Sequence, residues 1–402
     1  MNSEAAIAMA VTEAASAGEP LLVQGNGTKS AMLRPVHAAR VLSTREYSGI
    51  TLYSPKELII SARAGTPLPE IEAALAENGQ YIIAEPPDLS PLLSGDGRSA
   101  SAPPQTLGGV VAANLSGPRR IAWGAMRDHV MGLRAVTGRG EVIHSGGRVL
   151  KNVTGLDLCK LLSGSHGTLG VITEVTLKVL PRPEASGTLV LPAPDAASGV
   201  AALSAALGLP YGVSAAAWLP AEVVALVPAL APMGCAAALV RIEDVAGSVR
   251  YRTDRLRLEL GGGELLDDAR SRAVWRAVRD AEPLLSEPAD QARAVWRVSV
   301  RPSAGPAVLS AVTDAGLHGF LDWGGGLVWL AGPASAATHR AVEAAANAGG
   351  GTWTLLRAPA TLRSAVRVVP DEPPALAKIT RRVKTALDPQ GILNPGRIYA
   401  GL

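Results

Sequence analysis

Three glycine-rich segments, each beside a strand-like run, constrain the first half of this chain. They are residues 21–30 (LLVQGNGTKS), 103–120 (PPQTLGGVVAANLSGPRR) and 151–174 (KNVTGLDLCKLLSGSHGTLGVITE). Glycine frees the backbone to turn its N–H groups toward one point, and such nests bind phosphate oxygens. Taken singly, the first segment is more typical of a plain turn, the second of a tightly packed Gly/Ala helix, and the third of an ordinary loop. Together they predict one extended polyphosphate ligand held by a single domain.

The first segment is one residue away from a dinucleotide-binding fingerprint, because Ser30 stands where a third glycine would be. That fingerprint requires a long helix to follow. Here Pro35 interrupts the segment, and a new strand-like run begins at Arg40. The glycine spacing of a P-loop is also missing before Lys29. Taken alone, this loop is therefore more typical of a plain turn than of a phosphate site, to which Lys29 would add a charge and Thr28 a hydroxyl.

The other two segments carry hydrogen-bonding groups among their small residues. In the second, Thr106 is predicted to cap a short helix whose N–H groups favour an anion, and Asn114 and Ser116 offer hydrogen bonds. In the third, Ser165 and Thr168 lie among glycines that make the loop flexible.

Composition and charge limit the classes of partner. A length of 402 residues with 48% hydrophobic and 18% charged residues predicts a globular chain of two domains. The net charge of +3 is too small to indicate a nucleic-acid partner. The densest basic run, residues 250–257, is interrupted by Asp254 and is typical of a solvated face.

Cysteine content and hydropathy indicate the cellular compartment in which the chain is expected. The two cysteines exclude a disulfide framework, and an iron–sulfur cluster would need about four thiolates. The N-terminus lacks the basic start of a signal peptide and predicts an amphipathic helix ended by Gly18 and Pro20. Residues 223–240 are uncharged, but Pro228 and Pro232 favour a buried helix, turn and strand over a membrane span. We expect a soluble, cytoplasmic chain without a membrane span of its own, which reaches the inner membrane face only through a partner.

The sequence pattern changes near residue 182, from glycine-rich turns and strands to alternating strands and helices, and this change indicates a domain boundary. Residues 171–179 alternate in polarity as a half-buried strand does, and Pro181 and Pro183 then break the chain. The elements that follow alternate between strand and helix, which is typical of an α+β layer. Strands are predicted at residues 58–64, 171–179, 236–242, 294–300, 326–332 and 352–358, and helices at 69–78, 245–258, 269–285, 336–348 and 374–387. The last helix places Leu376, Ile379, Val383 and Leu387 on one face.

Long strings in this sequence carry a family resemblance. QGNGTK, TLGGVVAANLSG, WGAMRD, KNVTGLDLCKLLSGSHGTLGVITEVTLKVLP and LDPQGILNPGR occur in this order at suitable separations. Together they resemble the FAD-binding domain of the vanillyl-alcohol oxidase and p-cresol methylhydroxylase superfamily. Within it, the chain is most similar to the FAD-binding subunits of bacterial glycolate oxidases. The resemblance is strong over residues 21–181 and looser from residue 294 to the C-terminus.

The resemblance implies an α+β fold with three parts. Residues 1–182 would form a two-subdomain FAD-binding domain of the p-cresol methylhydroxylase type, and residues 183–370 an α+β, ferredoxin-like cap. Residues 371–402 would return to the FAD domain. Members with covalent flavin often carry a histidine in the first loop, which has none here, so we expect non-covalent FAD. Two positions depart from the usual pattern: Leu156 replaces a tyrosine, and His166 a residue that is often acidic or apolar.

The resemblance also assigns cofactor contacts by position. Those around the pyrophosphate would be Gln24, Gly25, Asn26, Gly27, Thr28 and Lys29. Those along the flavin and its phosphates would be Pro103, Thr106, Leu107, Gly108, Gly109, Asn114, Ser116 and Gly117. Those holding the adenosine side and ribityl chain would be Gly164, Gly167, Thr168, Gly170 and Ile172. Those closing the site beneath the isoalloxazine would be Asn394, Pro395, Gly396 and Arg397.

The sequence offers few candidates for the residues that would act on a substrate. Oxidation of a 2-hydroxy acid needs a base, a cation for the carboxylate and a hydride acceptor. None of the six histidines is paired at metal-ligand spacing, so no metal site is predicted, and His318 is expected in a turn as a surface or packing residue. Arg297 and Arg301 on a predicted cap strand are the candidate catalytic residues, although a strand arginine is also typical of a structural ion pair. Residues 322–326 (DWGGG) resemble a motif of the glycolate oxidase subunits.

Three functions stay open at this point. In the first, the chain is the FAD-binding subunit of a glycolate oxidase that acts on a small 2-hydroxy acid. Its partners would be a paralogous flavoprotein that performs most of the oxidation and an iron–sulfur subunit that accepts electrons. In the second, the chain is a self-sufficient FAD-dependent glycolate or lactate dehydrogenase. In the third, it is an assembly subunit without flavin redox chemistry.

Overall fold

In the computed structural model of the chain, residues 1–94, 103–147, 156–285 and 292–402 are described. The beginning of the third glycine-rich segment, residues 151–155, lies outside these ranges. Helix α1 (Glu4–Ala17) starts at Ser3, whose side chain accepts a hydrogen bond from Ala6 N, and ends at Gly18 with φ of 64°. This confirms the predicted N-terminal helix, since glycine adopts the left-handed conformation without steric cost.

The elements up to residue 181 form one five-stranded sheet, two small sheets and short helices. After α1 they are β1 (Leu21–Gln24), β2 (Arg40–Ser43), β3 (Ile50–Ser54), β4 (Ile59–Arg63), α2 (Leu68–Ala76), β5 (Gln80–Tyr81), α3 (Ser90–Ser94), α4 (Leu107–Ala112), α5 (Arg120–Trp123), β6 (Val130–Val136), β7 (Val142–Gly146), α6 (Leu158–Leu162), β8 (Val171–Lys178) and β9 (Leu180–Pro181). The five-stranded sheet has the order β3-β4-β8-β6-β7 with antiparallel neighbours, while β1 and β2 pair in parallel and β5 pairs with β9.

The central strand β8 explains how the sheet is packed. Val171, Thr173, Val175 and Leu177 are buried, as the predicted alternation requires. Ile172 on the other face is also buried, and it lines the cleft described below. This strand therefore contributes to the core on one face and to the cleft on the other.

A second, eight-stranded antiparallel sheet contains the elements from residue 185 to 357. They are β10 (Ala185–Pro192), α7 (Ala196–Gly208), β11 (Ala215–Leu219), α8 (Ala221–Ala225), β12 (Ala237–Asp244), α9 (Ala246–Glu259), β13 (Glu264–Leu266), α10 (Asp268–Arg279), β14 (Arg293–Ser299), α11 (Gly305–Thr313), β15 (His318–Asp322), β16 (Leu327–Pro333), α12 (Ala336–Ala348) and β17 (Thr352–Arg357). The order is β13-β10-β12-β11-β15-β16-β14-β17.

This strand order contains two ferredoxin-like units side by side. Strands β10 to β13, with α7 and α9, follow the β-α-β-β-α-β succession, and strands β14 to β17 repeat it with α11 and α12. The two units join where β11 pairs with β15. The sequence predicts one α+β layer, and the single eight-stranded sheet of that layer contains two ferredoxin-like units.

Three local predictions can be compared with the structure. Residues 223–240 cover part of α8, a turn and the start of β12, and no described helix is long and apolar enough to cross a membrane. The helix predicted at residues 269–285 ends at Arg279, because Ala281 has φ of 52° and cannot continue it. His318 begins strand β15, not a turn, and its Nε2 lies 2.8 Å from Nη2 of Arg293.

The C-terminal residues contribute α13 (Ala360–Ala365) and α14 (Pro374–Leu387). The apolar face predicted for α14 is not covered by the described residues, since Leu376 is 47% and Ile379 is 56% exposed. Lys384 is instead the buried residue of this helix; its ammonium pairs with Asp388 at 2.7 Å and donates to the Thr168 carbonyl at 2.7 Å. After α14, Leu393 forms an isolated parallel bridge with Leu21 of β1.

Two buried ion pairs connect the five-stranded sheet region with the eight-stranded sheet region. Arg241 of β12 donates from both Nη atoms to Glu85 at 3.0 and 2.9 Å, and Arg119 donates to Glu243 at 2.9 and 2.6 Å. Burial alone would raise the pKa of Glu243, but the charges of Arg241 and Arg119 outweigh it and lower that pKa to about 2. These bidentate pairs fix the two layers relative to each other.

Candidate functional site

The three glycine-rich segments meet around one cleft. The loop after β1 forms one wall, the start of α4 a second, and residues 166–172 a third, with Asn394 and Arg397 from the C-terminal segment. The predicted contact residues on this lining are Gln24, Gly25, Asn26, Gly27, Thr28, Lys29, Thr106, Gly108, Gly109, Gly167, Gly170, Ile172, Asn394 and Arg397. Segments far apart in sequence thus form a single site.

Two glycines are required by close approaches at the cleft. A Cβ on Gly25 would lie 2.2 Å from Oγ1 of Thr106, so no larger residue fits without moving the first and second segments apart. A Cβ on Gly108 would lie 2.6 Å from Cβ of Ala64, and the Gly108 amide donates to the Ala64 carbonyl at 2.9 Å. Thr106 caps α4 as predicted, because its Oγ1 accepts from the Gly109 amide at 3.4 Å.

Lys29 supplies a cation to the cleft. Its Nζ donates to Oε1 of Gln105 at 3.0 Å and to Oγ1 of Thr28 at 3.2 Å, both neutral acceptors. Burial lowers the pKa of Lys29 to about 8, although the charge of Asp88 opposes this shift. An ammonium without an acidic hydrogen-bond partner is well suited to pair with an anion that enters the cleft.

Asn394 connects the first and third segments. Its Oδ1 accepts from the Val23 amide at 2.8 Å, and its Nδ2 donates to the His166 carbonyl at 2.8 Å. The φ angle of Asn394 is 42°, a left-handed conformation that asparagine tolerates better than most residues. Arg397 stabilises the first loop through two hydrogen bonds. Its guanidinium donates to the carbonyls of Lys29 at 2.6 Å and Ser30 at 3.1 Å.

Several lining residues escaped the sequence analysis. Leu22, Val23, Thr44, Ala64, Ala112, Ala113 and His166 all line the cleft. Burial, with the nearby charges of Arg397 and Lys29, lowers the pKa of His166 to about 3, so its imidazole is neutral at physiological pH. His166 gave a signal in the sequence as a departure from the usual family residue. Ala112 and Ala113 gave one as small residues that let another group approach the backbone, whereas Thr44 and Ala64 gave none.

Other predicted residues lie off the cleft lining and have local roles. Leu107 is in the core, Asn114 Oδ1 accepts from the Arg127 amide, and Ser116 Oγ accepts from the Met126 amide. The Thr168 hydroxyl donates to the Ser165 carbonyl, and a Cβ on Gly117 would lie 2.2 Å from the Glu85 carbonyl oxygen. The predicted residues outside the lining are Pro103, Leu107, Asn114, Ser116, Gly117, Gly164, Thr168, Pro395 and Gly396.

The two candidate catalytic arginines have different surroundings. Arg301 lies beyond the end of β14 and is exposed, whereas Arg297 is within β14 at the junction of the two layers. The guanidinium of Arg297 is 5.0 Å from the ring centre of Trp329 and 5.5 Å from that of Trp323. Within the described residues, no three His, Cys, Asp or Glu side chains lie together as metal ligands would.

Comparison with known proteins agrees with this arrangement. A family model described as "FAD binding domain" matches residues 1–146. Glycolate oxidase subunit GlcE of Escherichia coli (strain K12) is 35% identical over 404 residues, covering 98% of this chain and 96% of that protein. Glycolate oxidase subunit GlcD of Bacillus subtilis (strain 168) is 31% identical over 172 residues, covering 42% of this chain and 34% of that subunit.

A solved structure confirms the fold. The crystal structure of p-cresol methylhydroxylase with substrate bound matches with a TM-score of 0.71 at 14% identity, covering 99% of this chain and 88% of that one. At this identity the likeness concerns the fold alone, and it confirms the predicted α+β class. Because the similarity to subunit GlcE extends along nearly the whole chain, the protein belongs to the FAD-linked oxidoreductase family that includes this glycolate oxidase subunit.

Proposed function

We propose that this chain is the FAD-binding subunit of a multi-subunit glycolate oxidase, which oxidises glycolate to glyoxylate and passes electrons to a partner. The observation that carries the proposal is the convergence of three glycine-rich segments on one cleft, in a chain that is similar to subunit GlcE over 98% of its length. The names of its relatives GlcE and GlcD denote subunits of a glycolate oxidase.

The cleft lining fits a dinucleotide. Glycine backbone at residues 25 and 27 and the buried ammonium of Lys29 suit the pyrophosphate, which carries two negative charges and several acceptor oxygens. The carboxamide of Gln24, the hydroxyl of Thr28 and the small residues Gly108 and Gly109 suit the adjoining parts of the cofactor. We assign the pyrophosphate to residues 24–29. Pro103, Asn114, Ser116 and Gly164 would not contact the cofactor and would stabilise the residues that line the cleft.

Non-covalent attachment is part of the proposal. The loop of residues 24–30 contains no histidine or cysteine, and Cys159 and Cys235 do not line the cleft. Both cysteines are free thiols, as is usual for cytoplasmic proteins, and we propose that compartment. Among the described residues of the lining, His166 is the one histidine, so release of the flavin on denaturation tests whether the His166 ring stays unmodified.

Electrons that reach the flavin need an acceptor outside this chain. Oxidation of glycolate removes the hydroxyl proton and a hydride from the adjacent carbon, and bound FAD supplies the hydride acceptor. With two cysteines, the chain lacks the roughly four thiolates of an iron–sulfur cluster. A paralogous flavoprotein and an iron–sulfur subunit are therefore the proposed partners.

Visible spectroscopy under anaerobic conditions tests this proposal. The chain purified alone is treated with glycolate, and the visible absorption band of the oxidised flavin is followed before and after partner subunits are added. We expect the band to persist in the chain alone and to bleach once partners are present. Complete bleaching by glycolate in the isolated chain would instead establish a self-sufficient dehydrogenase.

A further inference from the structure

A groove between α2 and α10 has one wall of arginines. Arg272, Arg276 and Arg279 of α10 lie on one face of the helix, because they are three or four residues apart, and all three line the groove. Arg182, between β9 and β10, continues this wall, since the guanidinium of Arg272 donates to the carbonyl of the adjacent Pro183 at 3.5 Å. Four guanidinium groups therefore follow one side of the groove.

The opposite wall is short and carries little charge. It consists of Glu72, Ala73 and Ala76 of α2, and both alanines are exposed. Glu72 is the one described acid on this wall, and it forms no ion pair with the arginines across the groove. Because methyl groups face the arginines along most of α2, the groove stays open to solvent along its length.

The acids at the bottom of the groove are already neutralised. Glu85 accepts hydrogen bonds from both Nη atoms of Arg241 at 3.0 and 2.9 Å. Glu243 accepts two from Arg119, at 2.9 and 2.6 Å. These two bidentate pairs satisfy one another, so the bottom of the groove offers no counter-charge to the arginines of the wall.

Two of the four wall arginines have an acidic partner, and two have none. The paired ones are Arg272 with Asp268 and Arg279 with Asp280, each at 2.8 Å. Arg276 lies between them on the same helix face, and both Arg276 and Arg182 are exposed. No described carboxylate lies within ion-pair distance of either guanidinium. The free positive charge of the groove is therefore at Arg276 and Arg182.

The shape and spacing of this wall fit an extended acidic chain. Four residues of helix rise about 6 Å, and alternate side chains of an extended peptide lie about 6.6 Å apart on one side. Successive carboxylates of such a peptide can therefore meet successive turns of α10. A small ligand is usually enclosed on most of its surface, whereas the free arginines here are exposed at an open rim.

We propose that the groove formed by α2, α10 and Arg182 binds an extended segment rich in Asp and Glu from a partner protein. Carboxylates of the segment pair with Arg276 and Arg182 through charge-assisted hydrogen bonds. The inference rests on the proposed function only for the source of the segment, which would be a partner subunit of the oxidase. Because α2 belongs to the five-stranded sheet region and α10 to the eight-stranded one, the segment contacts both.

Binding of a fluorescently labelled hexaglutamate peptide to the full-length chain tests the groove. Fluorescence anisotropy is measured at low ionic strength and again with added salt, which should weaken the binding. We expect Arg276→Gln to weaken it about fivefold, and the double variant Arg182→Gln/Arg276→Gln at least about 20-fold. The matched control is Arg250→Gln/Arg257→Gln, which removes two exposed arginines of α9, and its affinity should change by less than about twofold.

The outcomes separate this proposal from the proposed function. A wild-type chain that does not bind hexaglutamate, or an equal loss of affinity in the α9 control, would overturn the groove even if the chain holds FAD. Inorganic phosphate or a short oligothymidylate that binds at Arg276 as tightly as hexaglutamate would also overturn it. Flavin content is measured on the same samples, so a chain that lacks FAD but binds hexaglutamate through Arg276 counts against the proposed function and supports the groove.

Discussion

Asn394, near the C-terminus of the chain, forms hydrogen bonds with the backbone of Val23 in the first strand. Its Oδ1 accepts from the Val23 amide at 2.8 Å, and its Nδ2 donates to the Val23 carbonyl at 3.3 Å. The two residues are 371 positions apart in sequence. The same amide reaches His166 in the third segment, so one side chain fixes two walls of the cleft. The cleft is therefore completed only when the C-terminal segment is in place.

Replacing Asn394 by alanine should lower both stability and FAD affinity. The variant leaves buried backbone groups at Val23 and His166 without partners, which costs about 1–3 kcal/mol. Asn394→Gly relieves the left-handed backbone but loses the same bonds, so it should be equally defective. Urea unfolding and FAD titration measure both effects, with the exposed Asn347→Ala as control. A Gly variant that behaves as wild type would show that the backbone conformation matters and the amide does not.

Gly25→Ala should abolish tight FAD binding. The added Cβ would lie 2.2 Å from Oγ1 of Thr106, so the first and second segments must separate. We expect the dissociation constant for FAD to rise by at least about tenfold, since overpacking of this kind costs about 1–3 kcal/mol. Gly247→Ala in α9 is the matched control, because nothing lies within 4 Å of its added Cβ. Unchanged FAD affinity in Gly25→Ala would contradict the assignment of this loop to the pyrophosphate.

The affinity for FAD should fall as pH rises above about 8. In the free chain the pKa of Lys29 is about 8, and an anion in the cleft favours the protonated form. Above this pH, binding must therefore take up a proton, and the affinity should fall by up to about tenfold per pH unit. Calorimetry between pH 7 and about 9.5 in buffers with different ionisation heats measures the uptake.

The matched variants for this pH dependence are Lys29→Met and the exposed Lys378→Met. Lys29→Met should bind FAD more weakly at neutral pH and lose the dependence, whereas Lys378→Met should keep both properties. A steep pH dependence that persists in Lys29→Met would assign the proton to another group.

Glu243→Gln should destabilise the junction of the two layers and reduce acid sensitivity. The pKa of Glu243 in the folded chain is about 2, below its ordinary value of 4.5, so its contribution is present above pH 4.5 and is lost as pH falls toward 2. Breaking a buried pair from one side costs about 3–5 kcal/mol at neutral pH. Urea unfolding from pH 7 to pH 3 checks this, and Glu13→Gln, an exposed acid 3.9 Å from Arg40, should change stability by less than about 0.5 kcal/mol. A Glu243→Gln variant as stable as wild type would show that the ion network is dispensable.

Local pattern predicted the helices and strands well because their signals lie within a few residues. Helices α12 and α14 begin and end where the sequence predicts, since Ser335 and Pro373 precede them and Gly349 and Asp388 follow. The apolar face of α14 was a weaker guide, because burial depends on which elements pack against a helix. Leu376 and Ile379 are exposed while Lys384 is buried by partners that are distant in sequence.

The site was predictable where glycine marks a close approach, and less so elsewhere. Gly25, Gly167 and the small residue Ala112 carry a direct signal, but Thr44 and Ala64 line the cleft only because the fold brings them there. The unpaired state of Arg297 has no signal in sequence at all. A strand arginine is typical of a structural ion pair, but the guanidinium of Arg297 lies over the rings of Trp323 and Trp329, and no described carboxylate lies within ion-pair distance of it.

Flavin content of the purified chain is the measurement that tests the central claim most directly. The protein is purified alone, its absorption spectrum is recorded, and it is then denatured by acid and separated from small molecules. We expect one FAD per chain, all of it released into the small-molecule fraction. A colourless chain that takes up no added FAD, or flavin that stays with the denatured protein, would contradict it.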